Sequence, residues 1–266
     1  MNKYKAVICD LDGTLLNSDH TVSSYTKKVI EKIKNLGVKF FIATGRHHKD
    51  ALAFKNILGL NSFLITSNGA KIHDENDKEI FSTNIPKELA KKIIELSVDS
   101  EIYRGIYKDD FWFIEKNIKG LDVFHKESGF SSIIKPFEEL KNEDVTKFFF
   151  ISEDCNKINE LEKTLQSTFK DSLNITLSFE NCLEIVQKGV SKGCAIEKIL
   201  KEENISTEEA LAFGDGLNDL DMLKTVGKGF LMGNSHKELI KRLPEHEVID
   251  TNNNDGVAKH LEKIFL

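Results

Sequence analysis

Two rhythms of apolar residues alternate along the first third of the chain. Ala6 to Cys9 is a short apolar run that ends in acidic residues and Gly13. Val22, Tyr25, Val29, Ile33 and Leu36 recur at helical spacing, with Gly37 as a stop. Val38 to Ala43 is again a β-type run, followed by Thr44-Gly45-Arg46. Ala51 to Leu58 reads as a helix stopped by Gly59, and Phe63 to Thr66 reads as a third strand. Short apolar strands alternating with amphipathic helices predict βαβ units and a mostly parallel sheet. Polar residues cluster just after each strand, at the edge where such sheets bind ligands.

The rhythm changes near residue 82. Ile72 to Phe81 and Glu101 to Glu115 read as two hairpins, turning at Asp74-Glu75-Asn76-Asp77 and at Lys108-Asp109-Asp110. Asn84 and Pro86 mark a helix start, as N-cap and first helical residue. A helix near 117–127, a strand at Lys147 to Ile151, a helix near 155–169 and strands near 174–186 complete a block of α+β character. From Ser191 the first rhythm returns. A helix over 191–203 precedes the strand Ala210 to Phe213. Gly214-Asp215-Gly216-Leu217-Asn218-Asp219, another helix, the strand Gly229 to Met232 and a helix from Asp255 to Phe265 follow. The expected fold is α/β: a doubly wound, mostly parallel, Rossmann-like core formed by 1–82 and 189–266. An α+β cap domain, 83–188, interrupts it.

The 266 residues and 40% hydrophobic content suit a soluble chain of this size. A formal net charge of −6 argues against a nucleic-acid surface, which needs a basic footprint. No stretch is apolar enough to span a bilayer or form a signal-peptide core, so the expected location is the cytoplasm. Cys9, Cys155, Cys182 and Cys194 show no metal-binding spacing and read as buried or incidental thiols of a reducing compartment. No heptad repeat specifies an oligomeric state.

The chemistry gathers at the predicted strand ends. Asp10 and Asp12 sit two apart after the first apolar run, so in a continuing strand both carboxylates face one way. Crowded carboxylates need a cation or a shared proton. Gly13 then permits a sharp turn, and the bland alternative is a loop using acids and glycine for turn chemistry. Asp215 and Asp219 follow another apolar run. Carboxylates there suit magnesium, although the segment could equally be the capped start of a helix. Thr44-Gly45-Arg46 offers a hydroxyl, a backbone N–H and a guanidinium. Lys192 opens a predicted helix, where the dipole favours anions. A phosphate bound there would reconcile the two; otherwise Lys192 is an ordinary solvated lysine.

Together these segments resemble the four motifs of the haloacid dehalogenase superfamily, in order. They look most like the Cof-like hydrolases, whose cap lies between the second and third motifs. The resemblance rests on Asp10-Leu11-Asp12-Gly13-Thr14-Leu15, Thr44-Gly45-Arg46, Lys192 and Gly214-Asp215 with Asn218-Asp219. It extends to Ser67-Asn68-Gly69-Ala70, Leu183-Glu184-Ile185-Val186, Met232-Gly233-Asn234-Ser235 and Asp255-Gly256-Val257-Ala258. Ser235 stands where alanine is expected.

The resemblance implies a Mg2+-dependent phosphatase of small phosphorylated metabolites, either sugar phosphates or phosphorylated cofactors. Asp10 would be the nucleophile and Asp12 the general acid–base. The metal would be held by the Asp10 carboxylate, the Asp12 backbone carbonyl and the Asp215 carboxylate. Thr44, Gly45, Lys192 and Asn218 would bind phosphate, and Asp219 would support Lys192 or a metal-bound water. Arg46 and Asn68 are further substrate candidates, Arg46 equally a contact to the cap. In this scheme Asp12 starts protonated near neutral pH, so its pKa must be raised. His47 and His48 are expected to be solvated, and Tyr103, Phe111, Trp112 and Phe113 to pack as a strand core. Rival readings are a phosphomutase or phosphotransferase with the same motifs and a phospho-accepting signalling domain. A dehydrogenase lacks its glycine-rich turn.

Overall fold

The computed structural model describes residues 3–118, 120 and 124–266. In chain order the first elements are β1 (Ala6–Cys9), α1 (Ser24–Asn35), β2 (Lys39–Ala43), α2 (His48–Ile57), β3 (Leu64–Thr66), β4 (Lys71–His73) and β5 (Glu79–Ser82). Next come α3 (Lys87–Ile94), β6 (Tyr103–Lys108), β7 (Phe111–Ile114), β8 (Ile133–Ile134), β9 (Lys147–Ile151), α4 (Cys155–Phe169), β10 (Leu173–Phe179) and β11 (Cys182–Gln187). The chain closes with α5 (Lys192–Glu202), β12 (Ala210–Gly214), α6 (Leu220–Thr225), β13 (Lys228–Leu231), α7 (Lys237–Arg242), β14 (Glu247–Val248) and α8 (Gly256–Phe265).

An eight-stranded sheet has the order β14-β13-β12-β1-β2-β3-β4-β5. Its pairings from β14 to β3 are parallel, and β4 and β5 add an antiparallel edge. Side chains alternate across it, as the two-residue period requires. Val7, Cys9, Phe40, Ile42 and Phe213 pack against Val29 and Ile33 of α1, Phe54 of α2 and Leu261 of α8. Ala6, Ile8, Phe41, Ala43 and Ala212 face the other way, onto Ile196 and Ile199 of α5, Met222 of α6 and Leu239 of α7. Helices therefore cover both faces, which is why these strands read as continuous apolar runs. From β1 the order runs outward through β2 and β3 on one side and through β12, β13 and β14 on the other. Asp10 and Asp215, at the ends of β1 and β12, flank this reversal, where α/β sheets bind ligands.

The inserted block forms a second sheet of six strands, β10-β11-β9-β6-β7-β8, antiparallel except between β7 and β8. Ile106, Phe148, Phe150 and Ile185 bury one face against Ile93 of α3 and against Ile158 and Leu165 of α4. The opposite face carries Tyr107, Trp112 and Phe149. The architecture is thus a Rossmann-like core with an α+β cap.

Local differences from the sequence reading have simple causes. Pro86 is the N-cap of α3 rather than its first residue. β8 and β14, at two residues each, are too short to show a period, and α7 is a six-residue helix. The helix expected near 117–127 falls partly on residues outside those described.

Phe213 is fully buried beneath α8. Phe213→Ala should therefore cost about 3–5 kcal/mol of stability, measured by denaturant unfolding. A loss under about 1 kcal/mol would contradict this packing.

Candidate active site

Asp10 follows β1 directly, and its backbone N–H still donates to the Phe213 carbonyl of β12 at 3.1 Å. The sheet therefore fixes where its carboxylate starts. Asp215 follows β12, and its carboxylate accepts from Thr14 Oγ1 at 2.6 Å. Asp219 lies one turn on. Its Oδ2 accepts from the backbone N–H groups of Asp215 and Gly216 at 2.9 and 3.0 Å, closing the turn that carries Asp215. Carboxylate oxygens of Asp10, Asp215 and Asp219 lie within 4.8 Å of one another.

Lys192 is the first residue of α5, whose N-cap Ser191 accepts from the Cys194 N–H. Its side chain turns inward and is fully buried. Nζ donates to Asp10 Oδ1 at 2.6 Å and to Asp219 Oδ1 at 2.7 Å. The solvated-lysine alternative is excluded. Burial alone would lower the Lys192 pKa, but the carboxylates of Asp10 and Asp219 hold it above its ordinary value. Burial raises the Asp10 carboxyl; Lys192 pulls it down and Asp219 pushes it up again, for a net rise. Burial, Asp10 and Asp219 likewise raise Asp215. One lysine thus does not neutralise three acids.

A divalent cation fits this donor set. The oxygens are hard ligands, and among the described residues no hydrogen bond reaches Asp10 Oδ2 or Asp215 Oδ2. Asp219 differs, because both its oxygens are already engaged. The loop is shaped around Asp215: Gly13 has φ +75°, and a Cβ there would sit 2.2 Å from Asp215 Oδ2.

Asp12 departs from expectation. Burial would raise its carboxyl, but Arg46 grips it through Nε and Nη2 at 2.6 and 2.5 Å. The guanidinium wins and holds Asp12 well below the usual carboxylate range. The expectation of a raised pKa is corrected here: in this arrangement Asp12 is ionised. His20 Nδ1 lies 3.4 Å from the same carboxylate. Arg46 Nη1 also donates to the buried Asp50 at 2.9 Å and to the Phe124 carbonyl at 2.7 Å. It therefore touches both the candidate acid and the inserted block. Asp50 accepts in addition from Ser128 Oγ and pairs with His125 Nδ1 at 2.8 Å.

A cavity of about 300 Å³ lies between the two sheets. Asp10, Asp12, Thr44, Gly45, Arg46 and Asn218 line it from the core. Tyr103, Tyr107, Trp112, Phe149, Lys147 and Glu184 line it from the cap. Lys192, Asp215 and Asp219 sit behind Asp10, outside that lining. Asn68 is buried behind Asn218, bonded to it and to Glu184. Thr44 Oγ1 accepts from the Arg46 N–H at 3.1 Å, which braces the loop.

Two expectations about bystanders change. His47 is buried, with Nε2 on the Asp109 carbonyl at 2.9 Å and its ring stacked on Phe130. Burial lowers its pKa to about 4. Tyr103 and Trp112 line the cavity in addition to packing, whereas Phe111 is exposed. Sequence reasoning gave no role to His20, Asp50, Lys147 or Glu184. A lone acid inside the apolar run Leu183 to Val186 was the available signal for Glu184, since an acid is seldom buried without a partner.

The family model for haloacid dehalogenase-like hydrolases matches residues 7–261. The chain belongs to that family. A protein of Buchnera aphidicola subsp. Baizongia pistaciae, provisionally named a phosphatase, is 38% identical over 263 residues, covering 98% of each chain. The HMP-PP phosphatase of Yersinia pseudotuberculosis is 32% identical over 258 residues, 97% of this chain and 94% of that one. A haloacid dehalogenase-like hydrolase of B. subtilis superposes with a TM-score of 0.84 at 28% identity, covering 97% of this chain and 99% of that one. As a haloacid dehalogenase-like hydrolase with such relatives, the chain is a phosphoric monoester hydrolase. None of its described helices is long and apolar enough to cross a membrane.

If the acidic cluster holds a divalent cation, saturating magnesium should raise the melting temperature of the wild type. Gly13→Ala, which drives a methyl into Asp215, should fold with a lower melting temperature and show no magnesium-dependent rise. An equal rise in both proteins would rule out this site.

Proposed function

We propose that this chain is a magnesium-dependent phosphatase of small phosphorylated metabolites that works through an aspartyl phosphate on Asp10. The observation that carries the reading is the placement of Asp10. It lies at the cavity floor, bonded to Lys192 and clustered with Asp215 and Asp219, at the strand-order reversal. In this reading residues 1–82 and 189–266 are the catalytic core and 83–188 the cap.

Asp10 attacks phosphorus and takes the phosphoryl group. That splits one difficult displacement into two easier ones. Attack by an anion on an anion requires neutralising charge, and Lys192 supplies part of it. Thr44, Gly45 and Asn218 donate to phosphate oxygens. Asp219 holds Lys192 in place. Asp10, the Asp12 backbone carbonyl and Asp215 would hold magnesium, which when bound would lower the remaining repulsion and stabilise charge on the transferring group.

Asp12 protonates the leaving oxygen and then activates the hydrolytic water. Its clamp by Arg46 makes this conditional. The guanidinium prefers bidentate anionic partners, and an arriving phosphate is one. Arg46 is therefore a substrate contact in this account as well as a cap contact: the phosphate draws it off Asp12, which then takes up a proton from solvent. Asn68 acts behind the phosphate site.

The cap wall favours one of the two substrate classes expected from sequence. Tyr103, Tyr107, Trp112 and Phe149 present aromatic rings where the leaving alcohol would sit. Rings stack on flat phosphorylated cofactors better than on polyhydroxylated sugars. The HMP-PP phosphatase relative is in keeping with a small phosphorylated substrate.

Asp10→Asn should abolish hydrolysis of an aryl phosphate, because an amide cannot accept the group. Asp12→Asn should lose roughly 10²–10⁴-fold in kcat, less for good leaving groups. Near-normal rates for Asp10→Asn, followed by stopped assays, would remove it as nucleophile. In a kinetic panel, kcat/KM should be higher for phosphates of aromatic ring compounds than for sugar phosphates, and Trp112→Ala should narrow the gap. A panel led by sugar phosphates in both proteins would refute the substrate assignment.

A further inference from the structure

A hydrogen-bonded chain runs from the cap to the candidate phosphate site. Glu184, on β11, is buried. Its Oε1 accepts from Lys147 Nζ at 2.5 Å, and its Oε2 accepts from Asn68 Nδ2 at 2.6 Å. Asn68 Oδ1 in turn accepts from Asn218 Nδ2 at 3.1 Å.

The direction of this chain follows from its chemistry. A carboxylate paired with a lysine only accepts hydrogen bonds. The asparagine amide has a donating end and an accepting end. With its NH2 on Glu184, Asn68 must turn its oxygen to Asn218. The Asn68 backbone is held for this: its N–H donates to the Thr44 carbonyl at 3.0 Å, and its φ of +57° is one asparagine tolerates. Asn218 must then present its NH2 to Asn68. Its oxygen lies against Gly216, where an added Cβ would come within 2.4 Å of it. One Asn218 hydrogen serves Asn68, and the second remains for a phosphate oxygen. The reverse orientation would aim a lone pair at an anion.

We infer that Glu184 is a positioning residue that sets, through Asn68, which end of the Asn218 amide faces the phosphate. This rests on the reading of Asn218 as a phosphate ligand. Lys147 fixes the origin of the chain, since its Nζ also donates to the Gly45 carbonyl at 2.5 Å. Glu184 and Lys147 belong to the cap, so the polarity at Asn218 is set only when the cap is seated.

Inorganic phosphate inhibition, and KM and kcat for p-nitrophenyl phosphate, should be measured at saturating magnesium. The proteins are wild type, Glu184→Gln, Asn68→Gly, Asn218→Ala and the Glu184→Gln/Asn218→Ala double variant. Glutamine keeps the shape but can donate, so it no longer dictates the Asn68 orientation. Each single variant should raise the phosphate inhibition constant and KM about tenfold, the scale of one hydrogen bond to a charged group. The double variant should be no weaker than Asn218→Ala alone, because the two act through one bond. A role confined to cap docking would instead multiply the losses, and that result overturns the inference. Normal phosphate inhibition in Glu184→Gln and Asn68→Gly beside an impaired Asn218→Ala also overturns it, leaving the function standing. Normal inhibition in Asn218→Ala removes the phosphate ligand itself and the inference with it. If Glu184→Gln does not fold, Asn68→Gly, which suits the positive φ, supports the same comparison with Asn218→Ala and their double variant.

Discussion

Three buried carboxylates lie within 4.8 Å of one another beside a single lysine that bonds only two of them, Asp10 and Asp219, and that excess of negative charge organises the site. Buried anions are costly unless paired, so each supporting feature can be read as a response to this crowding. Lys192 is placed at the start of α5 and turned inward. Backbone N–H groups at the β12 turn are spent on Asp219. Thr14 caps one oxygen of Asp215, and Gly13 yields the space for the other. Among the described residues, what remains after these contacts is one unbonded oxygen each on Asp10 and Asp215, a donor set that could hold a cation. The sheet reversal between β1 and β12 delivers both acids to one point.

The second organising contact lies between core and cap. Arg46 holds Asp12, Asp50 and the Phe124 carbonyl at once, while Asp50 also receives His125 and Ser128. The candidate acid is therefore tied to the seating of the cap. In the proposed mechanism this coupling would keep Asp12 from acting as an acid until an anion took the guanidinium. Glu184 and Lys147 make a separate cap contact at Gly45 and Asn68.

Much of this was legible in the sequence, and the boundary has a physical cause. Asp10, Asp215 and the Thr44 loop follow apolar runs, and a parallel sheet brings strand ends together whatever the details of packing. Lys192 was legible as a cation at a helix start, although only the fold shows it turned inward. The Arg46 grip on Asp12 was not legible. It joins loops 34 residues apart, and it reverses the expected pKa of Asp12. Glu184 and Asn68 are 116 residues apart, and each alone reads as a strand or turn residue. His47 differs from expectation because a histidine at a helix start is ordinarily wet; here it is the N-cap of α2, and the Asp109 turn and Phe130 cover it.

The central claim is that Asp10 carries the phosphoryl group. Chemical quench during turnover, followed by borohydride reduction, converts an acyl phosphate on aspartate to homoserine, which peptide mass spectrometry locates. The measurement is best made on Asp12→Asn, where loss of the general base slows breakdown of the intermediate. The account predicts homoserine at position 10, dependent on both substrate and magnesium. Turnover with Asp10 unmodified, or with the mark on another residue, would contradict it.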